Sequence, residues 1–198
     1  MKQINKAQKT NTRKLAILAI FSAIVAVLAY YGGFIKIGGF ASISLTLIPV
    51  VVGAAMMGPI AGAWLGAVSG LVFFATPDAV YWFGLNIPGT IITVMVKGIA
   101  AGFLAGAVYK LLSDVNRYLA VLVSAIVCPI VNTGIFLIGA LIFFMDAVSV
   151  GAELEGVSIG VFLIVFYVGL NFVFELLANI AVSPAMLRIL DITKVNKK

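Results

Sequence analysis

Long apolar runs alternate along this chain with short polar or glycine-rich breaks, and the runs set the expected architecture. Residues 1–14 are polar, basic and without apolar periodicity, and read as a tail. From 15 to 31 the sequence is continuously apolar, the pattern of a first membrane helix. Val27 and Ala29 also offer the small-residue pair of a signal-peptide cleavage site. An equally apolar chain follows, however, and a first transmembrane helix needs no cleavage. The glycine-rich stretch 31–44 is too short and broken to cross a bilayer and reads as a loop. Two helices are predicted over 45–57 and 60–75, punctuated by Gly58 and Pro59, glycine ending one helix and proline opening the next. The first of them is short for a crossing, so it is expected to tilt or to begin within 43–49. Residues 76–88 mix helix breakers with aromatics and read as a second loop. A fourth helix follows over 89–112, then a polar turn over 113–117. The fifth spans 118–144 with Pro129 as an expected kink. Residues 145–158 carry Asp146, Glu153 and Glu155 and read as a third loop. A long sixth helix runs from 159 to about 190, and 191–198 form a second basic tail.

The expected fold is therefore an all-α integral membrane bundle of six transmembrane helices in one domain, residues 15–190, between two short tails. The charges orient it. With the N-terminus in the cytoplasm and alternating crossings, every Lys and Arg except Lys36 and Lys97 falls on the cytoplasmic side or in a tail. The outer loops then hold Lys36, Asp78, Asp146, Glu153 and Glu155. This positive-inside asymmetry places both termini in the cytoplasm. It also accounts for the net charge of +6 through anionic lipid headgroups, without nucleic acid.

Composition narrows the function. Of 198 residues, 63% are hydrophobic and 10% charged, with a mean hydropathy of +1.21. A soluble enzyme is excluded, because a soluble domain is only about half apolar. The single Cys128 rules out a disulfide framework within the chain. The absence of histidine removes imidazole metal sites and Ser-His or Cys-His catalysis. No GxxxxGK[ST] phosphate loop is present, so the chain does not itself hydrolyse ATP in that manner.

Two charges fall inside predicted helices: Lys97 in the fourth and Glu175 in the sixth. A central intramembrane charge costs about 2.5–3.5 kcal/mol on an insertion scale, so an idle one is a sizeable penalty. Lys97 reads either as the contact for an anionic ligand group or as one half of a Lys97–Glu175 pair joining two helices. The two readings are compatible if the pair holds the ammonium in place. Asn132 lies midway along the fifth helix. Tyr167, Asn171 and Glu175 recur every four residues and share one face of the sixth. Together these groups outline a polar chamber near the outer side. Interhelical hydrogen bonding is the structural alternative for both asparagines. Phe34, Phe40, Tyr81, Trp82 and Phe83 belong to the outer loops, where aromatics commonly serve as interfacial anchors. The segment 78–86, including Tyr81, Trp82 and Asn86, also suits a lid over a small organic ligand, and Phe40 of the first loop is a further candidate contact. Apolar walls with a few convergent polar groups describe such a site.

Glycine spacing marks the packing seams. Gly58, Gly62, Gly66 and Gly70 form one stripe, and Gly98, Gly102 and Gly106 a second. Such stripes let helices approach closely where lipid removes the hydrophobic drive. The first helix carries Ala19 and Ala23 at the same spacing.

This order of features resembles the substrate-binding S component of energy-coupling factor (ECF) vitamin transporters. The likeness lies in the basic start, the Ala19-xxx-Ala23 helix and the glycine-rich first loop. It extends through Ile43-Ser-Leu-Thr-Leu-Ile-Pro49, Met57-Gly-Pro-Ile-Ala-Gly62 and the basic C-terminal tail. The resemblance implies a non-enzymatic subunit that captures a vitamin in a chamber gated by the loops after helices one, three and five. It implies docking through Ala19 and Ala23 onto a membrane coupling (T) subunit driven by two cytoplasmic ATPase subunits. ATP is then used by the partners, and this chain carries no cofactor. Family sites on helices four to six correspond to Lys97, Asn132, Tyr167 and Asn171. The buried cation favours an anionic vitamin such as pantothenate; folate, biotin, riboflavin, pyridoxine and hydroxymethylpyrimidine remain alternatives. Two other classes stay open beside it. One is a self-sufficient proton-coupled secondary transporter with Glu175 as the titrating group. The other is a membrane enzyme or assembly factor. The expected location is the bacterial cytoplasmic membrane.

Overall fold

The computed structural model describes residues 2–32 and 45–195, and among these residues it is helical with no strand. The helices are α1 (Lys2–Gly32), α2 (Leu47–Met57), α3 (Pro59–Phe73), α4 (Pro77–Leu85) and α5 (Ile87–Leu112). After them come α6 (Arg117–Phe143), α7 (Met145–Leu154), α8 (Ile159–Phe162), a π-helical turn (Leu163–Val168) and α9 (Gly169–Val195). Four helices are long and apolar enough to cross a bilayer: 12–32 of α1, then α5, α6 and 171–192 of α9. Counting each of two bent pairs as one span raises the number to six. The protein is an all-α, multi-pass membrane bundle. Its outer face agrees, because Ile60, Leu71, Ile142 and Ile164 are each more than half exposed. Only a hydrocarbon solvent makes such a surface favourable.

Four features differ from the sequence pattern. The polar stretch 2–14 carries no backbone boundary; α1 runs through it, since Lys, Gln and Ala are good helix formers even without an apolar face. The segments expected as second and third loops contain α4 and α7. Pro77 sits in the first turn of α4 with Asp78 beside it, and Asp146 sits in the first turn of α7. Both arrangements favour a helix start through the fixed φ of proline and the helix dipole. The helices turn sharply, α4 by 84° from α3 and the 159–168 segment by 98° from α7, so α4 and α7 cap one end of the bundle. Finally, the expected single helix from 159 is interrupted: a π-helical turn leads into Gly169 with φ 49°, a backbone conformation that glycine alone adopts cheaply. The expected kink residue Pro129 lies inside α6, which continues through it. Phe34, Lys36 and Phe40 lie outside the described residues.

α2 explains its own brevity. It is buried along most of its length, with Leu47 and Pro49 to Ala54 all inaccessible, and it packs against α1, α3, α5, α6 and α9. A helix apolar all round belongs in the interior. The closest packing joins α3 to α5. A Cβ on Gly66 would run into the carbonyl oxygen of Gly98, and one on Gly102 into that of Gly62. The two glycine stripes therefore meet face to face, backbone against backbone. Accordingly, Gly66→Ala is expected to lower stability by about 1–3 kcal/mol, the usual cost of overpacking. Gly84→Ala, where an added Cβ meets nothing, should leave it nearly unchanged. Thermal unfolding of the two purified variants in one detergent checks both.

Candidate functional site

The capped end of the bundle holds a partly open cavity of about 140 Å³. Helices α1, α2, α3, α5, α6 and α9 supply its walls, and α4 contributes to the roof. Lys97, Asn132, Tyr167, Asn171 and Glu175 all line it, as does Trp82. The break at Gly169 does not separate Tyr167 from Asn171: both remain on the wall, Tyr167 from the π-helical turn and Asn171 from the first turn of α9.

Lys97 enters from the middle of α5. Its Nζ lies 5.1 Å from the ring centroid of Phe136 and 5.9 Å from that of Phe73. Within about 6 Å of an aromatic face, an ammonium is attracted by the ring quadrupole. Glu175, 6% exposed, is the carboxylate that acts on this ammonium electrostatically. Among the described residues, the cavity wall thus holds one cation, Lys97, and two carboxylates, Glu175 and Asp78 of α4, among aromatic rings. Thr90 and Thr93 stand on the same face of α5, at i−7 and i−4 from Lys97, and line the wall with it.

Aromatic rings build the roof. Trp82 of α4 meets Phe144, Phe136 and Tyr167 edge-on at centroid distances of 5.2, 5.4 and 5.5 Å. Its position is fixed through the backbone. The Thr90 hydroxyl, between the carbonyls of Trp82 and Asn86, lies 2.8 Å from each and donates towards them, tying α4 to the start of α5.

Other candidates are placed differently. Asn86 stands outside the cavity walls and caps α5: its Oδ1 accepts from the Gly89 N–H at 2.9 Å, and its Nδ2 donates to the Phe143 carbonyl at 3.3 Å. Tyr81 also lies outside the walls, 45% exposed and edge-on to Trp82 at 5.3 Å. Phe40 is not among the described residues. Ala19 and Ala23 are exposed on α1; Ser22, one turn from Ala19, is half-buried and its Oγ accepts from Trp64 Nε1 of α3 at 3.1 Å. The wall further includes Thr46, Ser69, Phe73, Thr93 and Phe136, which sequence reasoning passed over. The signal for Thr93 was present in the i, i+3, i+7 spacing of Thr90, Thr93 and Lys97; Thr46 and Ser69, 3.4 Å apart, become neighbours only through the α2–α3 turn.

The chain belongs to the family of ECF transporter substrate-specific components, whose model matches residues 13–189. Nothing matches it among the curated proteins or the solved structures. Membership makes it a substrate-binding subunit of a transporter and not an enzyme. Because Asn86 works as a cap, Asn86→Ala is expected to cost about 1 kcal/mol of stability while leaving ligand affinity within about twofold, a difference near the resolution of binding free energies. Thermal unfolding and calorimetric titration of the same preparation check the pair of outcomes.

Proposed function

We propose that this chain is the high-affinity substrate-binding subunit of an ATP-driven ECF-type vitamin importer, with an anionic vitamin such as pantothenate as its cargo. The observation that carries the reading is the Lys97 ammonium held between Phe73 and Phe136 in the wall of a roofed cavity. A ligand carboxylate placed there meets a cation already partly stripped of water, where attraction is far stronger than in bulk solvent. Glu175 adds a second requirement. As an acceptor in the same wall, it favours a ligand that also carries hydroxyl or amide donors, and it disfavours a second anionic group. Pantothenate has one carboxylate, two hydroxyls and an amide, which fits both poles. Cationic thiamine fits the Lys97 pole poorly.

Family membership supports assembly with a membrane coupling subunit and two ATPase subunits, which use the ATP; the chain itself carries no cofactor in this reading. The exposed Ala19 and Ala23 of α1 are the proposed docking patch, and the lysine and arginine distribution supports cytoplasmic termini in a bacterial cytoplasmic membrane.

Purified chain is expected to bind pantothenate stoichiometrically in a titration panel that includes folate, biotin, riboflavin, pyridoxine, hydroxymethylpyrimidine and thiamine. Lys97→Met should weaken that binding by about 30-fold or more, the effect of losing about 2 kcal/mol or more from a buried charge pair. Unchanged affinity of Lys97→Met for every anionic member would sink the ligand contact. If the substrate is instead carried by proton coupling through Glu175, proteoliposomes holding this chain alone will accumulate it under a pH gradient; the importer reading expects no uptake. For docking, Ala19→Trp and Ala23→Trp are expected to keep ligand affinity while abolishing co-purification with the coupling subunit.

A further inference from the structure

Below the cavity, α9 continues the line of Asn171 and Glu175 with Asn179 and Ser183, each four residues further on and so on one face. Asn179 and Ser183 are each 1% exposed, and Ser124 of α6 is fully buried. Asn179 Nδ2 donates to the Glu175 carbonyl at 2.8 Å. Its Oδ1, however, and the hydroxyls of Ser124 and Ser183 have no hydrogen-bond partner among the described residues. Other helix serines of this chain behave differently: Ser22 donates to the Leu18 carbonyl at 2.8 Å and Ser149 to that of Met145 at 2.9 Å.

The orphaned atoms fall at one level. α6 and α9 run antiparallel between the Arg117–Asp191 ion pair at one end and the Phe136–Tyr167 ring contact, 6.0 Å, at the other. That register sets Ser124 level with residues 180–184 and Cys128 level with 176–180. The electrostatic influence of Glu175 on Cys128 agrees with it. Each helix also carries an interior proline here, Pro129 in α6 and Pro184 in α9. Neither supplies an N–H, so the carbonyls of Ala125 and Ile180 lose their usual helical donors. Three orphaned side-chain oxygens and two proline-released carbonyls therefore fall within about one turn of the same level on the packed helices α6 and α9. Buried polar groups are nearly always paired, to protein or to ordered water.

We propose that this seam binds internal water, a small cluster held between α6 and α9 below the cavity. Water donates to Asn179 Oδ1 and to the released carbonyls, and it accepts from the Ser124 and Ser183 hydroxyls. A bare cation does the first and not the second. In membrane helices, ordered waters are a recognised way to re-satisfy backbone freed by proline. The cluster extends the polar line from Glu175 towards the Arg117–Asp191 end. It also gives two proline-bearing helices a contact that can exchange partners as they shift.

Cys128, the only cysteine of the chain, is fully buried one turn from Ser124 and reports on the seam through its S–H infrared band. In D2O, well below the melting temperature, the wild-type band is expected to convert to S–D within minutes. In Ser124→Ala/Asn179→Leu/Ser183→Ala it should convert at about one tenth of that rate or slower, because exchange then waits for transient opening. Circular dichroism and thermal unfolding establish that the variant is folded; if it is not, Ser124→Ala alone supplies the comparison. Persistence of the wild-type S–H band for a day, or equal exchange in wild type and folded variant, overturns the proposal.

Discussion

In a bilayer, helices gain little from hiding apolar surface from one another, so close backbone contact takes over the task of association. Here that contact is the meeting of Gly62 and Gly66 with Gly102 and Gly98. It draws α5 against α3, and α6 packs on the other flank of α5, so α5 becomes the central helix. Lys97 is the residue next to Gly98. Helical side chains lean towards their own N-terminus, and the N-terminal half of α5 lies at the cavity end. The seam therefore does more than hold two helices together: it decides that the ammonium rises into the chamber and reaches the rings of Phe73 and Phe136. A bulkier residue at either stripe would move the charge as well as loosen the fold.

The roof follows a different logic. α4 and α7 are too short to cross anything, and each owes its place to a sharp turn and to fixed backbone partners. The Thr90 hydroxyl bonds back into the end of α4, and Asn86 caps α5 while reaching the Phe143 carbonyl. Trp82 is thereby held over the cavity in contact with three rings from α6, the start of α7 and the π-helical turn. An apolar lid on polar walls lowers the local dielectric, which strengthens every charge contact beneath it. Asn86 thus secures the corner between α4 and α5 without touching the cavity.

Much of this was legible in the chain. Hydropathy located the long helices, glycine spacing located the α3–α5 seam, and the rule that intramembrane charges face inward picked out Lys97, with Asn132, Tyr167 and Asn171 beside it. What escaped was mostly short or assembled from separate elements. The helix starts at Pro77 and Met145 were hidden because breakers and aromatics obscure a 3.6-residue period over so few turns. The break at Gly169 was hidden because an apolar run gives no sign of where its hydrogen-bond ladder changes. Asn86 read as a ligand group because a capping asparagine and a binding one look alike until the N–H of Gly89 is seen against it. Glu175 read as a candidate partner of Lys97 joining two helices, and it lines the same cavity.

Glu175 in this wall sets the energetics of the buried ammonium. A lone buried ammonium would demand an anion at all times, and the protein would be costly to fold before its ligand arrived. With Glu175 in the same wall, the formal charges of the pair cancel, and the rings of Phe73 and Phe136 add a further weak hold on the cation. With the anionic cargo proposed above, capture would be an exchange: the ligand anion takes over a share of the ammonium, and the ligand's own donors turn to the carboxylate. Selectivity in such a site comes from offering both halves at once. A ligand bearing only an anion leaves Glu175 poorly compensated, and one bearing only donors gives Lys97 nothing it did not already have.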